Sequence, residues 1–242
     1  MPAKETFRGP DGRAVRQMFG EIAHRYDFLN HFLSASVDRR WRRLAASTVR
    51  EHARKDANAL YLDLCSGTGD LAIELHRRLN VSVIAADFCH PMLVRSLAKT
   101  RGHRLEKSIL TVEADSLSIP FRTGIFDAVT IAFGLRNLEN PNQGLVEMRR
   151  VLQPDGALVV LEFSQPVLPI MRGMFHFYFH RVLPRLGAWI SGQKTAYQYL
   201  PDSVDRFPSQ IELAAMMEKV GFRNVGYRNL SGGIAALHWG VK

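Results

Sequence analysis

A glycine-rich turn followed by spaced carboxylates is the feature of this 242-residue sequence that most plainly suggests chemistry. A predicted strand, Tyr61-Leu62-Asp63-Leu64, leads into Cys65-Ser66-Gly67-Thr68-Gly69-Asp70. Glycines in such a turn permit a tight bend and let a ligand approach the backbone closely. Asp87 follows twenty residues after Gly67, a spacing typical of dinucleotide-binding folds. The loop predicts a nucleoside-containing ligand, and a glycine turn without a ligand is the plainer alternative.

Three carboxylates favour S-adenosylmethionine over a dinucleotide. Asp63 lies inside the predicted strand, where its charge would repel a pyrophosphate and attract the cationic amino-acid end of S-adenosylmethionine. Asp87 can accept hydrogen bonds from both ribose hydroxyls, and Asp115 can accept one from an adenine amino group. The sequence contains no Tyr-x-x-x-Lys pair, which is one common hydride-transfer arrangement. For Asp115 a helix-cap or loop role is an equally good interpretation.

The elements that must position these side chains alternate between short apolar runs and amphipathic segments from residue 58 onward. This alternation predicts a Rossmann-like α/β fold, with a seven-stranded, mostly parallel sheet covered on both faces. Two final runs separated by Ser231-Gly232-Gly233 predict an antiparallel hairpin and hence one reversed strand. The predicted strands span 59–64, 81–86, 109–113, 127–133, 157–163, 225–229 and 235–241; the predicted helices span 70–79, 91–100, 141–152 and 209–220, with a turn at Pro154-Asp155-Gly156.

Helical segments are predicted at the N-terminus and before the last helix. Residues 14–55 show helical periodicity, so residues 1–56 are predicted to form a cap on a ligand-binding domain of residues 57–242. A helical insertion is predicted at about 168–205. Within it, residues 171–189 are too charged to span a bilayer, yet apolar enough to lie on one or to line a groove for a lipid tail. Core packing of a lid helix is the competing interpretation.

Composition and charge narrow the class of protein. The chain is 46% hydrophobic and 23% charged, which excludes a disordered or fibrous protein. The net charge is +9, and residues 8–55 hold eleven arginines and lysines against five acids. A solvated basic helix face is the favoured interpretation, and a weak attraction to anionic lipid is the second. Nucleic-acid binding is not expected, because no binding motif appears among the basic residues.

Cysteine usage and the lack of an apolar leader indicate the compartment. Cys65 and Cys89 cannot build a disulfide framework, and two cysteines do not make a four-ligand zinc site, so no metal site is predicted. The N-terminus lacks the apolar stretch of a signal peptide, and no run approaches the roughly 18 residues of a spanning helix. We expect a cytoplasmic protein, with peripheral association at the inner face of the membrane as an extension of that expectation.

Seven stretches of the chain together resemble the quinone-biosynthesis C-methyltransferases, which are the demethylmenaquinone methyltransferases and their ubiquinone-pathway relatives. The most specific are Arg25-Tyr26-Asp27, Phe133-Gly134-Leu135-Arg136-Asn137 and Ser-Gly-Gly-Ile-Ala-Ala-Leu-His at 231–238, in that order. The others include 62–71, 86–93, 161–166 and 199–204, so the resemblance runs from about residue 15 onward. It implies a class I methyltransferase fold with S-adenosylmethionine as the cofactor.

The resemblance also implies the reaction and the cofactor-binding residues. The reaction is methylation of a ring carbon of a polyprenylated quinol, demethylmenaquinol to menaquinol, with the ubiquinone-pathway benzoquinol as a further acceptor. Thr68 in the glycine loop, Asp87, Asp115 and Ser116 match the family's cofactor-contacting positions. The sequence departs from the family at Asp115-Ser116, where many relatives have Asn-Ala. An aspartate cannot donate a hydrogen bond to a ring nitrogen as an asparagine can. Further departures are Cys65-Ser66 and Ala132.

The reaction requires alignment of two reactants and stabilisation of a phenolate, because only the reduced quinol, after losing a hydroxyl proton, is electron-rich enough to attack. Arg136, beside Asn137, is the leading candidate to hold that oxygen, and a salt bridge that holds the loop is the alternative. Tyr26 and Asp27 would close the site from the N-terminal segment, with a helix cap as their alternative role. No general base is assigned; the candidates by type are His24, His176, His180 and His238.

Three other functions remain alternatives at this stage. One is a methyltransferase of the same fold with another lipophilic acceptor, the second is a non-catalytic basic binder of RNA or membrane, and the third is a nicotinamide oxidoreductase. The sequence leaves open whether the acceptor is a naphthoquinol or a benzoquinol, how long its tail is, and whether the chain forms a homodimer.

Overall fold

The computed structural model describes residues 8–24, 26–27, 36–53, 58–167, 172–173, 175, 177, 181 and 194–242. The helices in this part of the chain are α1 (Gly12–Ile22), α2 (Val37–His52), α3 (Asp70–Leu79), α4 (His90–Gly102), α5 (Pro141–Val151), α6 (Lys194–Arg206) and α7 (Gln210–Val220). The strands are β1 (Leu60–Leu64), β2 (Ser82–Asp87), β3 (Ile109–Glu113), β4 (Phe126–Ala132), β5 (Leu152–Phe163), β6 (Arg223–Leu230) and β7 (Ala235–Val241).

The seven strands form one sheet in the order β3-β2-β1-β4-β5-β7-β6. β1 to β5 are parallel, and β7 runs antiparallel to both of its neighbours, β5 and β6. The predicted Rossmann-like architecture with one reversed strand is therefore confirmed. The order of the strands changes direction between β1 and β4, and in such sheets ligands bind at the carboxyl ends of the strands beside that point.

Helices cover both faces of the sheet because its strands carry apolar side chains on both. On one face α2 and α3 pack against the strands through residues such as Trp41, Val49 and Leu75. On the other face α5 and α7 contribute Leu145, Met148 and Leu213. β1 shows how one strand serves both layers, since Tyr61 belongs to the first core and Leu62 and Leu64 to the second.

Several helix ends follow from local sequence chemistry. Asp11 caps α1 by accepting hydrogen bonds from the backbone N–H groups of Arg13 at 2.8 Å and Ala14 at 3.0 Å. α7 begins with a capping box of Ser209 and Glu212. It ends at Gly221, whose φ of 102° lies in the left-handed region.

Most predicted elements agree with the structure, and one prediction is wrong. The bounds predicted for α3, β3 and β7 are confirmed to the residue. The turn predicted at Pro154-Asp155-Gly156 does not separate α5 from β5, because β5 starts at Leu152 directly after the helix. The pairing with β4 steps from Phe126–Leu152 to Ala128–Ala157, so the turn residues form a bulge inside the strand. Residues on both sides of the turn find partners on β4, and only the intervening ones are displaced.

The two predicted helical segments are described in part. α1 begins at Gly12, two residues before the predicted segment 14–55, whereas α2 lies within that segment and packs into the same core as the sheet. The predicted boundary at residues 56 and 57 lies outside the described residues, as does most of the predicted lipid-tail segment 171–189. Phe175 from that segment packs against Val204 of α6. In the described part of the chain, no helix combines the length and the apolar character that crossing a membrane requires.

Candidate active site

A cavity of about 470 Å³ opens at the carboxyl ends of β1, β2 and β4, with α1 forming one wall. Three segments far apart in sequence meet here: the N-terminal segment, the glycine loop and the loop after β4. Among the residues that the sequence predicted for the site, Tyr26, Gly67, Asp87, Asp115, Ser116 and Asn137 line the cavity, whereas Asp63, Thr68, Gly69 and Arg136 do not.

Asp87, the last residue of β2, is held by the backbone on both sides of the cavity. Its Oδ2 accepts a hydrogen bond from the N–H of Gly67 and its Oδ1 one from the N–H of Cys89, each at 2.8 Å. Burial raises the pKa of this carboxyl, and the backbone donors oppose that rise. The side chain is thus fixed in orientation, and the carboxylate keeps acceptor capacity for a ligand.

The glycine loop turns sharply between β1 and α3. Gly67 and Gly69 have φ values of 55° and 83°, a region that favours glycine. A Cβ at Gly69 would lie 2.5 Å from Oγ of Ser96, so the loop also packs tightly on α4. Gly69 therefore shapes the loop from behind the cavity, whereas Gly67 lies at its surface.

Cys65 and Gly134 bring two cavity loops into close contact. Cys65 has a positive φ of 49°, and a Cβ on Gly134 would lie 2.4 Å from Cys65 Cβ. Ser116 Oγ lies 3.5 Å from Cys65 Sγ. Burial raises the pKa of the Cys65 thiol, so this group stays protonated. Gly134 is needed here for the close approach of two chain segments.

Thr68 connects the glycine loop to the N-terminal segment rather than to the cavity. Its hydroxyl donates to Asp27 Oδ1 at 2.5 Å and accepts from Lys99 Nζ at 3.0 Å. Lys99 also forms ion pairs of 2.6 Å with Asp27 and with Asp70. These four side chains tie the segment that carries Tyr26 to the loop that it covers. Lys99 was not predicted for the site, because it lies in the last turn of α4 with no motif around it.

Asp63 lies inside the sheet rather than at the cavity. Its Oδ1 accepts a hydrogen bond of 2.7 Å from the Thr130 hydroxyl, and the residue is 1% exposed. Alternation along β1 places it on the face covered by α2, opposite Leu62 and Leu64. Burial raises its pKa to about 7, although the Thr130 hydroxyl and the charge of Arg42 lower it. The expectation that Asp63 faces the ligand is not what the structure shows.

Asp115 and Ser116 follow β3 and complete the cavity wall on that side. Asp115 Oδ1 accepts a hydrogen bond of 2.8 Å from the N–H of Leu117, which closes the turn after the strand. The loop role considered for Asp115 is therefore present in the structure together with its place at the cavity. Its other oxygen, Oδ2, remains available to a ligand that donates a hydrogen bond.

Arg136 follows β4 and is turned toward the core. Its Nη1 lies 2.6 Å from Glu162 Oε1 and donates to the carbonyl of Phe133 at 2.6 Å, and its Nε donates to Ser203 Oγ at 3.3 Å. Arg136 is 5% exposed and Glu162 is 1% exposed. This geometry favours the alternative that we considered for Arg136, a salt bridge that holds the loop.

Asn137 lines the cavity and is oriented by two hydrogen bonds. Its Nδ2 donates to the carbonyl of Phe133 at 3.2 Å, and its Oδ1 accepts from the Tyr199 hydroxyl at 2.7 Å. Because a carbonyl can only accept, the amide nitrogen must face Phe133, and the amide oxygen then faces Tyr199. Tyr199 and Glu162 were missed as site residues, although both lie in stretches that carry the family resemblance.

The histidines considered as general bases are not assembled at the cavity in the described part of the chain. His238 is buried, its Nε2 donates to the carbonyl of Gln210 at 2.9 Å, and burial lowers its pKa to about 4. His24 is exposed and is not among the residues that line the cavity. His176 and His180 lie outside the described residues.

Two relatives of known name match most of the chain. A demethylmenaquinone methyltransferase from Thermus thermophilus is 49% identical over 224 residues, which cover 92% of this chain and 99% of that protein. The ubiquinone/menaquinone biosynthesis C-methyltransferase UbiE from Citrifermentans bemidjiense is 44% identical over 233 residues, which cover 96% of this chain and 97% of that protein.

A solved structure and a family model complete the comparison. The crystal structure of a SAM-dependent methyltransferase from Aquifex aeolicus matches the fold with a TM-score of 0.59 and 18% identity, covering 81% of this chain and 88% of that chain. The model of the ubiE/COQ5 methyltransferase family matches residues 7–242. The resemblance drawn from the motifs is confirmed, and the chain belongs to the ubiE/COQ5 methyltransferase family.

Proposed function

We propose that the protein transfers the methyl group of S-adenosylmethionine to a ring carbon of a polyprenylated quinol, with demethylmenaquinol as the acceptor. One observation carries the proposal: Tyr26, Gly67 and Asn137, from three family motifs far apart in the chain, line one cavity together with Asp87. Relatives that are named for this reaction and for its ubiquinone-pathway counterpart match nearly the whole chain.

The residues at the carboxyl ends of β1 to β3 fit S-adenosylmethionine. The backbone at Gly67 is open to close approach, since among the described residues a Cβ there would have only Tyr26 within 4 Å, at 3.8 Å. Asp87 would accept hydrogen bonds from the ribose hydroxyls, and Asp115 one from the adenine amino group. When bound, S-adenosylmethionine supplies an electrophilic methyl group on a sulfonium. The residues of this chain supply orientation and a water-poor surface around it.

The residues after β4 suit the acceptor ring. Asn137 has one amide N–H on Nδ2 beyond the one donated to Phe133, and this N–H is available to a quinol oxygen. Phe133 and Leu138 add apolar surface to the same wall. Hydrogen-bond donors fixed in advance stabilise the charge that develops on a phenolate. In this proposal Asn137 and Tyr26 contact the acceptor, and Arg136 is a positioning residue that fixes the loop.

The N-terminal residues 1–56 act as the cap in this proposal. Phe19 and Tyr26 line the cavity and pack edge to face, with ring centroids 5.9 Å apart. Asp27 attaches the same segment to Thr68 and Lys99. A lipid-tailed acceptor is reached at a membrane surface, and we therefore extend the proposal to peripheral association there.

The test is methyl transfer from labelled S-adenosylmethionine to demethylmenaquinol under reducing conditions, with lipid extraction. We expect label in the methylated naphthoquinol. Folded protein that binds S-adenosylmethionine but leaves the lipid unlabelled would refute the proposed acceptor, and label in a different lipophilic acceptor would identify the alternative methyltransferase.

Donor placement is tested separately by calorimetry with S-adenosylmethionine. Asp87→Ala should lose most of the affinity, because it removes the proposed ribose acceptors and the brace of the glycine loop. Asp155→Ala is a matched control, since Asp155 is exposed and lies outside the cavity. Unchanged binding by Asp87→Ala would refute the placement of the ribose.

A further inference from the structure

A second cavity, of about 510 Å³, lies between α2, α3 and the end of α4, and we call it the basic cleft. It adjoins the candidate active site through the Thr68, Asp27 and Lys99 contacts of the glycine loop. Its cations are Arg39, Arg42, Arg43, Arg77 and Lys99, and its acids are Asp27, Asp70 and Glu74. Ile73 is the only apolar residue among the described residues that line it. The chemistry of the walls therefore suits a polar, anionic ligand.

The acids of the basic cleft are already engaged by cations. Lys99 lies 2.6 Å from both Asp27 and Asp70, and Arg42 lies 3.6 Å from Asp70. Glu74 forms an ion pair with Arg78 along α3, outside the cleft. These carboxylates thus form ion pairs with Lys99, Arg42 and Arg78, and they do not neutralise the cations at the rim of the cleft.

Three rim cations have no such partner in the described part of the chain. The side chains of Arg39, Arg43 and Arg77 are exposed and form no ion pair or hydrogen bond there. Arg39 and Arg43 are one turn apart on α2, so they point to the same side, where like charges repel each other. Arg77 faces them from α3 across the cleft. Three guanidinium groups around one opening create a local positive potential that an anion would relieve.

We propose that the basic cleft binds the phosphate group of an anionic ligand, supplied either by a phospholipid headgroup at a membrane surface or by a free phosphate ester. Guanidinium groups match phosphate oxygens in pairs and hold them more specifically than single ammonium groups do. The lipid source rests on the proposed function, because a polyprenylated acceptor resides in a bilayer. The anion site itself rests only on the charges and the cavity. A headgroup bound here would hold the neighbouring active-site cavity at the bilayer surface.

The test compares two triple variants that change the charge equally. Arg39→Gln with Arg43→Gln and Arg77→Gln removes the rim cations. Arg122→Gln with Lys219→Gln and Arg228→Gln removes three exposed cations outside the cleft. Binding to phosphatidylcholine vesicles with and without phosphatidylglycerol is measured by sedimentation, and binding of inorganic phosphate by calorimetry. Neither measurement involves methyl transfer, so failure of this proposal is distinguishable from failure of the proposed function.

We expect binding to vesicles that contain phosphatidylglycerol to weaken roughly tenfold or more in the rim variant and less than about twofold in the control variant. Saturable binding of inorganic phosphate that only the rim variant loses would also support the site, with a free phosphate ester as the source. Equal binding by the two variants, or binding of neither vesicles nor phosphate by the unaltered protein, would overturn the proposal. Tighter binding of a single-stranded RNA than of vesicles, lost in the rim variant, would overturn it as well.

Discussion

Arg136 Nη1 lies 2.6 Å from Glu162 Oε1, and both side chains are buried behind the loop that carries Asn137. A buried ion pair is costly to break by removing one partner, because the other charge is then left without compensation. It is much less costly to replace both partners by neutral side chains. This difference separates a structural from a chemical role for Arg136.

Arg136→Met should lower the free energy of unfolding by about 3–5 kcal/mol, because Glu162 keeps a buried charge. Adding Glu162→Gln should recover most of that loss. With Arg136 as a positioning residue, the double variant should also recover methyl-transfer activity to within about tenfold of the unaltered protein. Urea unfolding and single-turnover rates are measured on the same preparations. A double variant with full stability but no methyl-transfer activity would show instead that Arg136 acts on the reacting atoms.

Tyr199→Phe removes the hydroxyl that orients the amide of Asn137, which it contacts at 2.7 Å. The free amide can then rotate, so its N–H is no longer fixed toward an acceptor. We expect kcat to fall about tenfold while the affinity for S-adenosylmethionine changes little, because the donor residues lie on other strands. Phe175→Leu, a change to an apolar side chain that packs on α6, is the control. A loss of donor affinity as large as the loss of kcat would contradict the positioning role.

Gly134→Ala should disturb the cavity because its Cβ would lie 2.4 Å from Cys65 Cβ. Overpacking of this kind costs about 1–3 kcal/mol of stability. Cys65→Gly removes the opposing Cβ and suits the positive φ of residue 65. In the Cys65→Gly background, Gly134→Ala should therefore be much less destabilising. Thermal unfolding of the four proteins closes a double-mutant cycle, and additive effects would contradict direct contact.

Asp63→Asn tests the effect of a buried carboxyl on the pH dependence of stability. The pKa of Asp63 is raised from 3.8 to about 7 in the folded protein, so the folded state keeps a proton that the unfolded state has lost. Its contribution to stability is complete below the unfolded pKa and falls as the pH rises through the folded pKa, by about 1.4 kcal/mol per pH unit between the two. The unfolding free energy of the unaltered protein minus that of Asp63→Asn should decrease from about pH 4 to about pH 7 and then level off.

Chemical denaturation at several pH values measures that difference. Glu106→Gln, which changes an exposed carboxyl, is measured alongside as the control for removal of a carboxyl. A pH-independent difference for Asp63→Asn would mean that Asp63 is ionised in the folded protein at all these pH values.

The sequence predicted the sheet well because the signals that define its strands are local. Apolar runs and turn residues fixed β3 and β7 to the residue. The error at Pro154-Asp155-Gly156 has a non-local cause, since pairing with β4 on both sides turned a strand break into a bulge. A turn motif indicates the backbone conformation that its own residues prefer, but it does not indicate which strand the adjoining residues pair with.

The site was predicted in part for the same reason. Gly67 and Asp87 belong to a motif with fixed spacing, and both line the cavity. Lys99 and Tyr199 reach the site across the fold, and nothing in their local sequence indicates those contacts. The alternation along β1 was enough to predict the sheet face on which Asp63 lies. Its sequence neighbours Leu62 and Leu64 are apolar and lie on the opposite face.

The change of direction between β1 and β4 divides the two tasks of the cavity between two halves of the sheet. Residues proposed for the methyl donor lie at the carboxyl ends of β1, β2 and β3, and Asn137, which is proposed for the acceptor together with Tyr26 of the N-terminal segment, follows β4. Protein engineers can therefore vary the loop after β4 and exchange one aromatic acceptor for another while leaving the donor half untouched. Evolution within such a fold can likewise change the acceptor-binding residues after β4 and retain the residues that bind the methyl donor.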